Sequence, residues 1–165
     1  MRNLVHLNLS RNDIGDKGVL ELAEASYMSN LTVLHLDDNN LTEAAAQYLS
    51  IGKFIVNLKQ LTLSNNKIGN NGFKFLLLSS NFSNLKKLLL NYNEISEEGV
   101  LSMTQSSFFG NLDYFDIQEN EIGNIGAQIL SACNMKHLKF LNIRHNKIGD
   151  SGYKCLSESE NMPSL

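Results

Sequence analysis

Four side chains near the start of the chain are the first that could do chemistry. His6, His35, Asp37 and Asp38 offer two imidazoles and two carboxylates, donor types that hold zinc. Their spacing matches no Cys/His ligand motif, so the ordinary reading is surface histidines beside carboxylates and no metal. Glu119 and His145 could pair as carboxylate and imidazole, an arrangement common without catalysis. Cys133 and Cys155 have no candidate base to activate a thiolate. The sequence holds no Gly-rich phosphate loop and no Gly-x-Ser-x-Gly elbow. The expectation is a protein that is not an enzyme and carries no cofactor.

A second set of residues suits binding. Lys87, Leu89, Tyr92, Tyr114, Asp116, Glu119, Phe140, Arg144 and His145 combine aromatic, aliphatic and charged groups, and Tyr and Arg dominate the energetics of protein interfaces. They form one site only if the fold stacks distant segments side by side, so the elements that carry them come next.

The skeleton Leu-x-x-Leu-x-Leu-x-x-Asn-x-Ile recurs along the whole chain. Its first leucine stands at Leu4, Leu31, Leu58, Leu85, Leu112 and Leu138, spacings of 27, 27, 27, 27 and 26 residues, and the chain stops on Leu165. Asparagine fills one column throughout, at Asn12, Asn39, Asn66, Asn93, Asn120 and Asn146. Gly-x-x-Gly opens the second half of several units, as at Gly69–Gly72, Gly123–Gly126 and Gly149–Gly152. This is a leucine-rich-repeat array, and its period near 27 residues resembles the ribonuclease-inhibitor-like subfamily. The fold expected is a right-handed α/β solenoid of six repeats, a horseshoe arc with a parallel sheet on the concave face and helices on the convex face.

Each unit opens with a short alternating strand, Leu34 and Leu36 inward and Val33 and His35 outward in the second. The asparagine turns the chain, its amide bonding backbone groups from rung to rung. A helix follows, with one apolar column at Val19, Ala46, Phe73, Val100, Ala127 and Tyr153 facing the strands, and Thr42 and Ser96 are its N-caps where glycine is absent. Tyr27, Met28, Phe54, Ile55, Phe82, Phe108 and Phe109 are expected to plug the returning loops. Strands stack at about 4.8 Å whereas helices need roughly 10 Å, so the array must curve with its strands inside.

Residues 1–165 read as a single repeat domain with no polar cap at either end. That points to a segment of a longer array, or to ends covered by a partner or by self-association. A net charge of −3 from 17 acidic and 14 basic residues argues against nucleic acid, and no apolar run suits a membrane span. Two cysteines at different offsets suit a reducing cytosol, the host's if the protein is a secreted effector. The Asn-x-Ser/Thr sequons at Asn8, Asn30, Asn40 and Asn81 fall in a unit already rich in asparagine and read as incidental.

With the skeleton consumed by the fold, function falls to the variable strand positions. The expected face is on the order of 700 Å², about one partner's share of a standard interface, and an open sheet offers a small molecule no pocket. The resemblance implies an arc that clasps another protein, with steric inhibition of a partner enzyme as the sharpest expectation. The alternatives are an arc similar to the Ran GTPase activators, acting on a small G protein, and the recognition half of a larger effector or sensor.

Overall fold

The computed structural model describes residues 3–106 and 108–161. Met1, Ser107 and the start of a seventh unit at Leu165 lie outside the described residues. Six three-residue strands, β1 (His6–Asn8), β2 (Val33–His35), β3 (Gln60–Thr62), β4 (Lys87–Leu89), β5 (Tyr114–Asp116) and β6 (Phe140–Asn142), form one parallel sheet in sequence order. Register is constant: Leu7, Leu34, Leu61, Leu88, Phe115 and Leu141 lie abreast. The helices are α1 (Gly15–Glu24), α2 (Glu43–Ile51), α3 (Gly69–Leu78), α4 (Glu97–Leu101), α5 (Gly123–Ala132) and α6 (Asp150–Ser157). The chain is therefore the α/β solenoid that the period requires.

The core is one continuous slab. Leu34, Leu61, Leu88 and Phe115 on the strands meet Val19, Ala46, Phe73, Val100 and Ala127 on the helices, all 0–1% exposed. Phe115 stacks on Phe73 and takes Phe109 edge-on at 4.9 Å between centroids, filling the space under the loop before β5. Burying one such side chain contributes roughly 1.5–3 kcal/mol. Met28, Ile55, Phe82, Phe108 and Phe109 are buried as expected, but Tyr27 is 41% exposed because Met28 beside it takes the inner place. Tyr153 also departs from its column and is 69% exposed, since no described element lies beyond α6 to cover it.

The asparagine ladder carries the turns. Asn66 Oδ1 accepts from the backbone N–H of Asn39 and of Leu41, while its Nδ2 donates to the carbonyls of Leu36, Leu63 and Ser64. Asn39, Asn93, Asn120 and Asn146 repeat the pattern, each serving its own rung and the one before. Buried backbone groups that a turn leaves unpaired are expensive, and this side chain satisfies them with one residue per repeat.

The helix entries alternate with a period of two repeats. Gly15, Gly69 and Gly123 adopt φ of +61° to +63°, where a side chain is strained, whereas Thr42, Ser96 and Gly149 stand at the same place with extended backbone. Gly149 thus departs from the expected equivalence of the Gly-x-x-Gly motifs. Asp16, Asn70 and Asn124, in the first turns of α1, α3 and α5, reach across to the next helix: Asp16 accepts from the N–H and hydroxyl of Thr42 at 2.8 and 2.6 Å. Asn70 accepts from Ser96 N–H at 2.8 Å and Asn124 from Gly149 N–H at 2.8 Å. Thr42 and Ser96 are N-caps as expected, accepting from Ala44 and Glu98.

Candidate protein-binding face

The ladder bonds run beyond the three residues of each strand. Lys87 N–H donates to Lys59 O, Leu90 N–H to Asp116 O and Tyr92 N–H to Gln118 O, so each rung stays in register from its first variable residue to the one before the asparagine. That register places the variable residues in straight rows across the sheet. One row reads His6, Val33, Gln60, Lys87, Tyr114, Phe140, and the next reads Asn8, His35, Thr62, Leu89, Asp116, Asn142.

The nine expected binding residues separate into two groups. Lys87, Tyr114 and Phe140 share a row, with Leu89 and Asp116 in the row beside it. The rings of Tyr114 and Phe140 stack at 4.1 Å between centroids and 8° between planes, and Lys87 Nζ lies 4.4 Å from the Tyr114 centroid on a cation–π contact. Phe140 remains 40% exposed. Burial first, and the carboxylate of Asp116 second, raise the Tyr114 hydroxyl above its ordinary pKa. Asp116 is held by Asn142 Nδ2 at 3.2 Å and by the N–H of Gln118 at 3.1 Å.

Tyr92, Glu119 and His145 stand instead at the far ends of the strands, up to about 16 Å along an extended chain from the first row. They line a furrow of about 440 Å³ that runs over the asparagine ladder, with Glu94, Glu121 and Lys147 on its other wall. Their column is left-handed in all six rungs: Arg11, Asp38, Asn65, Tyr92, Glu119 and His145 have φ of +52° to +62°. Ordinary L-residues avoid this region at a cost of roughly 1–2 kcal/mol, and the turn into the ladder asparagine imposes it. Glu119 faces His145 at 3.9 Å, both partly exposed. Arg144 is exposed one position before His145.

The first half of the sheet is occupied by its own polar network. Thr62, one of the variable strand positions expected to face outward, is 2% exposed and donates to Asp37 Oδ2 at 2.5 Å. Asp37 also accepts from Ser10 Oγ and Ser64 N–H, and His35 Nδ1 meets Thr62 Oγ1 at 3.0 Å. Asp37 is thereby saturated by hydroxyl and amide donors rather than aimed at a cation. Among the described residues no group of three or more His, Cys, Asp or Glu is placed to hold a metal. Burial pushes the Cys133 thiol up to about 11, which leaves little thiolate at neutral pH. No helix among the described residues is long and apolar enough to cross a membrane.

Rigid parallel rungs, an asparagine ladder and outward variable rows define a leucine-rich-repeat protein. The Leucine Rich repeat family model matches residues 1–23, 27–50, 56–77 and 134–157, more than half of the chain, and the protein belongs to that family. Such domains generally mediate protein–protein interaction, and the fold typically serves as a non-enzymatic scaffold. Among solved structures the chain is similar to the tropomodulin C-terminal domain of Caenorhabditis elegans, with 11% identity, a TM-score of 0.57 and coverage of 96% of this chain and 83% of that one. At that identity the likeness shows the fold alone. An internalin of Listeria monocytogenes matches at 18% identity and a TM-score of 0.36, over 98% of this chain and 66% of that one. No curated protein matches the sequence.

Proposed function

We propose that this chain is a protein-binding module that grips its partner on the concave sheet, centred on Lys87, Tyr114 and Phe140. The stack of Tyr114 on Phe140, capped by Lys87, carries this reading. Aromatic rings held by each other lose little freedom when a partner arrives, so their contact area is delivered at low entropic cost. Leu89 and Asp116 extend the patch, and Arg144 with the furrow residues Tyr92, Glu119 and His145 forms its rim.

In this reading the arc acts without chemistry of its own, covering a partner's working surface in the manner that the ribonuclease-inhibitor-like resemblance suggests. The site of action is the cytosol. A steric inhibitor lowers the partner's turnover in proportion to occupancy, whereas an activator of a small G protein speeds phosphate release.

The test is paired affinity capture read by mass spectrometry, using the intact chain and a Tyr114→Ala, Phe140→Ala, Arg144→Ala variant shown by circular dichroism to be folded. A protein held by the first and lost by the second supports the site, and its activity with and without the intact chain tests inhibition. Equal retention by both overturns it.

A further inference from the structure

The sheet is electrically polarised from the start of its strands to their ends. In repeats three to six, the returning loops and the first two variable residues of each rung carry Lys59, Lys86, Lys87, Lys136 and Lys139, against one carboxylate, Asp113. Lys59, Lys86 and Lys139 are exposed; Asp113 sits 3.5 Å from Lys139, so the pair leaves the lysine excess standing. At the other end of the same rungs stand Glu94, Glu119 and Glu121, followed by Glu97, Glu98 and Asp150 at the helix entries, against Lys67, Arg144 and Lys147. A chain with net charge −3 has thus gathered cations along one edge of its sheet.

The basic edge also has relief. Lys86 Nζ donates to Asn111 O at 3.0 Å, on the rim of a cleft of about 470 Å³. Lys136, His137, Asn111 and Asn134 line that cleft, and Ser106 Oγ is buried in it with no hydrogen-bond partner among the described residues. Amide, ammonium and imidazole groups line this hollow, donor types that suit carboxylate oxygens. The stacked rings of Tyr114 and Phe140 begin where the lysines end.

We infer that the partner presents an acidic segment with an aromatic or large aliphatic residue, its carboxylates over Lys59, Lys86 and Lys87 and its apolar side chain on the Tyr114–Phe140 stack. This deepens the concave-face reading and rests on it. The acidic far edge repels the same segment, so the field fixes its placement along the strands as well as attracting it. Added salt weakens the attraction, because Lys59 and Lys86 are exposed to solvent.

A peptide selection tests the inference. Random twelve-residue peptides displayed on phage are selected on the intact chain, and the winners are synthesised and measured by fluorescence anisotropy on three proteins. These are the intact chain, a Lys59→Glu, Lys86→Glu variant and a Tyr114→Ala, Phe140→Ala variant, both confirmed folded. The expected winners are rich in Asp and Glu around an apolar residue, weaken about tenfold or more on the charge-reversed protein, and are lost on the aromatic variant. Winners lost on the aromatic variant but not enriched in acids, or indifferent to charge reversal, overturn the acidic-segment inference alone. Winners indifferent to the aromatic variant overturn the concave-face reading as well. A selection that enriches nothing counts against the inference, since an autonomous acidic segment is what it requires.

Discussion

The ring of Phe140 lies flat on that of Tyr114, one rung apart in register, and burial, ahead of the neighbouring Asp116 carboxylate, raises the Tyr114 hydroxyl above its ordinary pKa. Burial disfavours the phenolate, so Tyr114 holds its proton to higher pH than an ordinary tyrosine. A group with a raised folded pKa contributes stability below its unfolded value near 10, and the contribution disappears as pH climbs through the folded value. In a spectrophotometric titration Tyr114 is expected to ionise late. Phe140→Ala should bring it back toward the ordinary range more than Asp116→Asn does, because desolvation is the larger cause. Equal effects would contradict that order.

Asn66 and Asn12 occupy the same column with different burial. Asn66 is 7% exposed and makes five hydrogen bonds to backbone groups of two rungs, while Asn12 is exposed. Asn66→Ala strands buried donors and carbonyls and should cost about 3 kcal/mol, against less than about 1 kcal/mol for Asn12→Ala. Urea unfolding of the two variants gives the comparison directly.

Tyr92 combines a strained backbone with an exposed ring. Its φ is +57° and it is 47% exposed, while Asn65 holds the same place one rung earlier at φ +53°. Asparagine tolerates that conformation better than tyrosine. Tyr92→Asn is expected to leave stability unchanged or raise it by about 0.5–1 kcal/mol, while weakening partner binding. A loss of stability would show that the ring has a structural role.

The two glycines of one Gly-x-x-Gly should fail in different ways. At Gly69, φ is +61° with open space around the missing side chain, so Gly69→Ala costs about 1 kcal/mol of backbone strain. At Gly72 a Cβ would come within 2.7 Å of Ile68 Cγ2 and 3.0 Å of Glu43 Cα on the neighbouring helix, so Gly72→Ala overpacks the seam by about 1–3 kcal/mol. An Ile68→Leu background, which removes the Cβ branch that carries Cγ2, should relieve part of the second and none of the first, which thermal unfolding of the four proteins can read.

Cys133 is buried and its thiol is pushed up to about 11, whereas Cys155 is half-buried on α6. At neutral pH a thiol reagent should therefore modify Cys155 first, with Cys133 following only on unfolding. Mass mapping of a brief labelling reaction distinguishes the two. Equal rates would mean that α5 opens readily.

Much of this molecule is legible in its amino-acid sequence. Leu34, Asn39 and their counterparts every 27 residues determine a parallel solenoid, because a repeat too small to bury its own apolar face must stack on copies of itself. The same alternation named Lys87, Tyr114 and Phe140 as outward residues, and Thr42 and Ser96 as caps, since strand period and cap chemistry are local properties. Contacts between rungs lay beyond it. That Thr62 is buried under Asp37, that Asp16, Asn70 and Asn124 cap the following helix, and that Tyr92, Glu119 and His145 belong to a furrow apart from the aromatic stack depend on side-chain reach across neighbours. Sequence periodicity assigns each residue to a row, whereas only the packed structure decides which neighbours in adjacent rows meet, because hydrogen bonds and ring contacts are settled over a few ångströms that a repeat pattern does not specify.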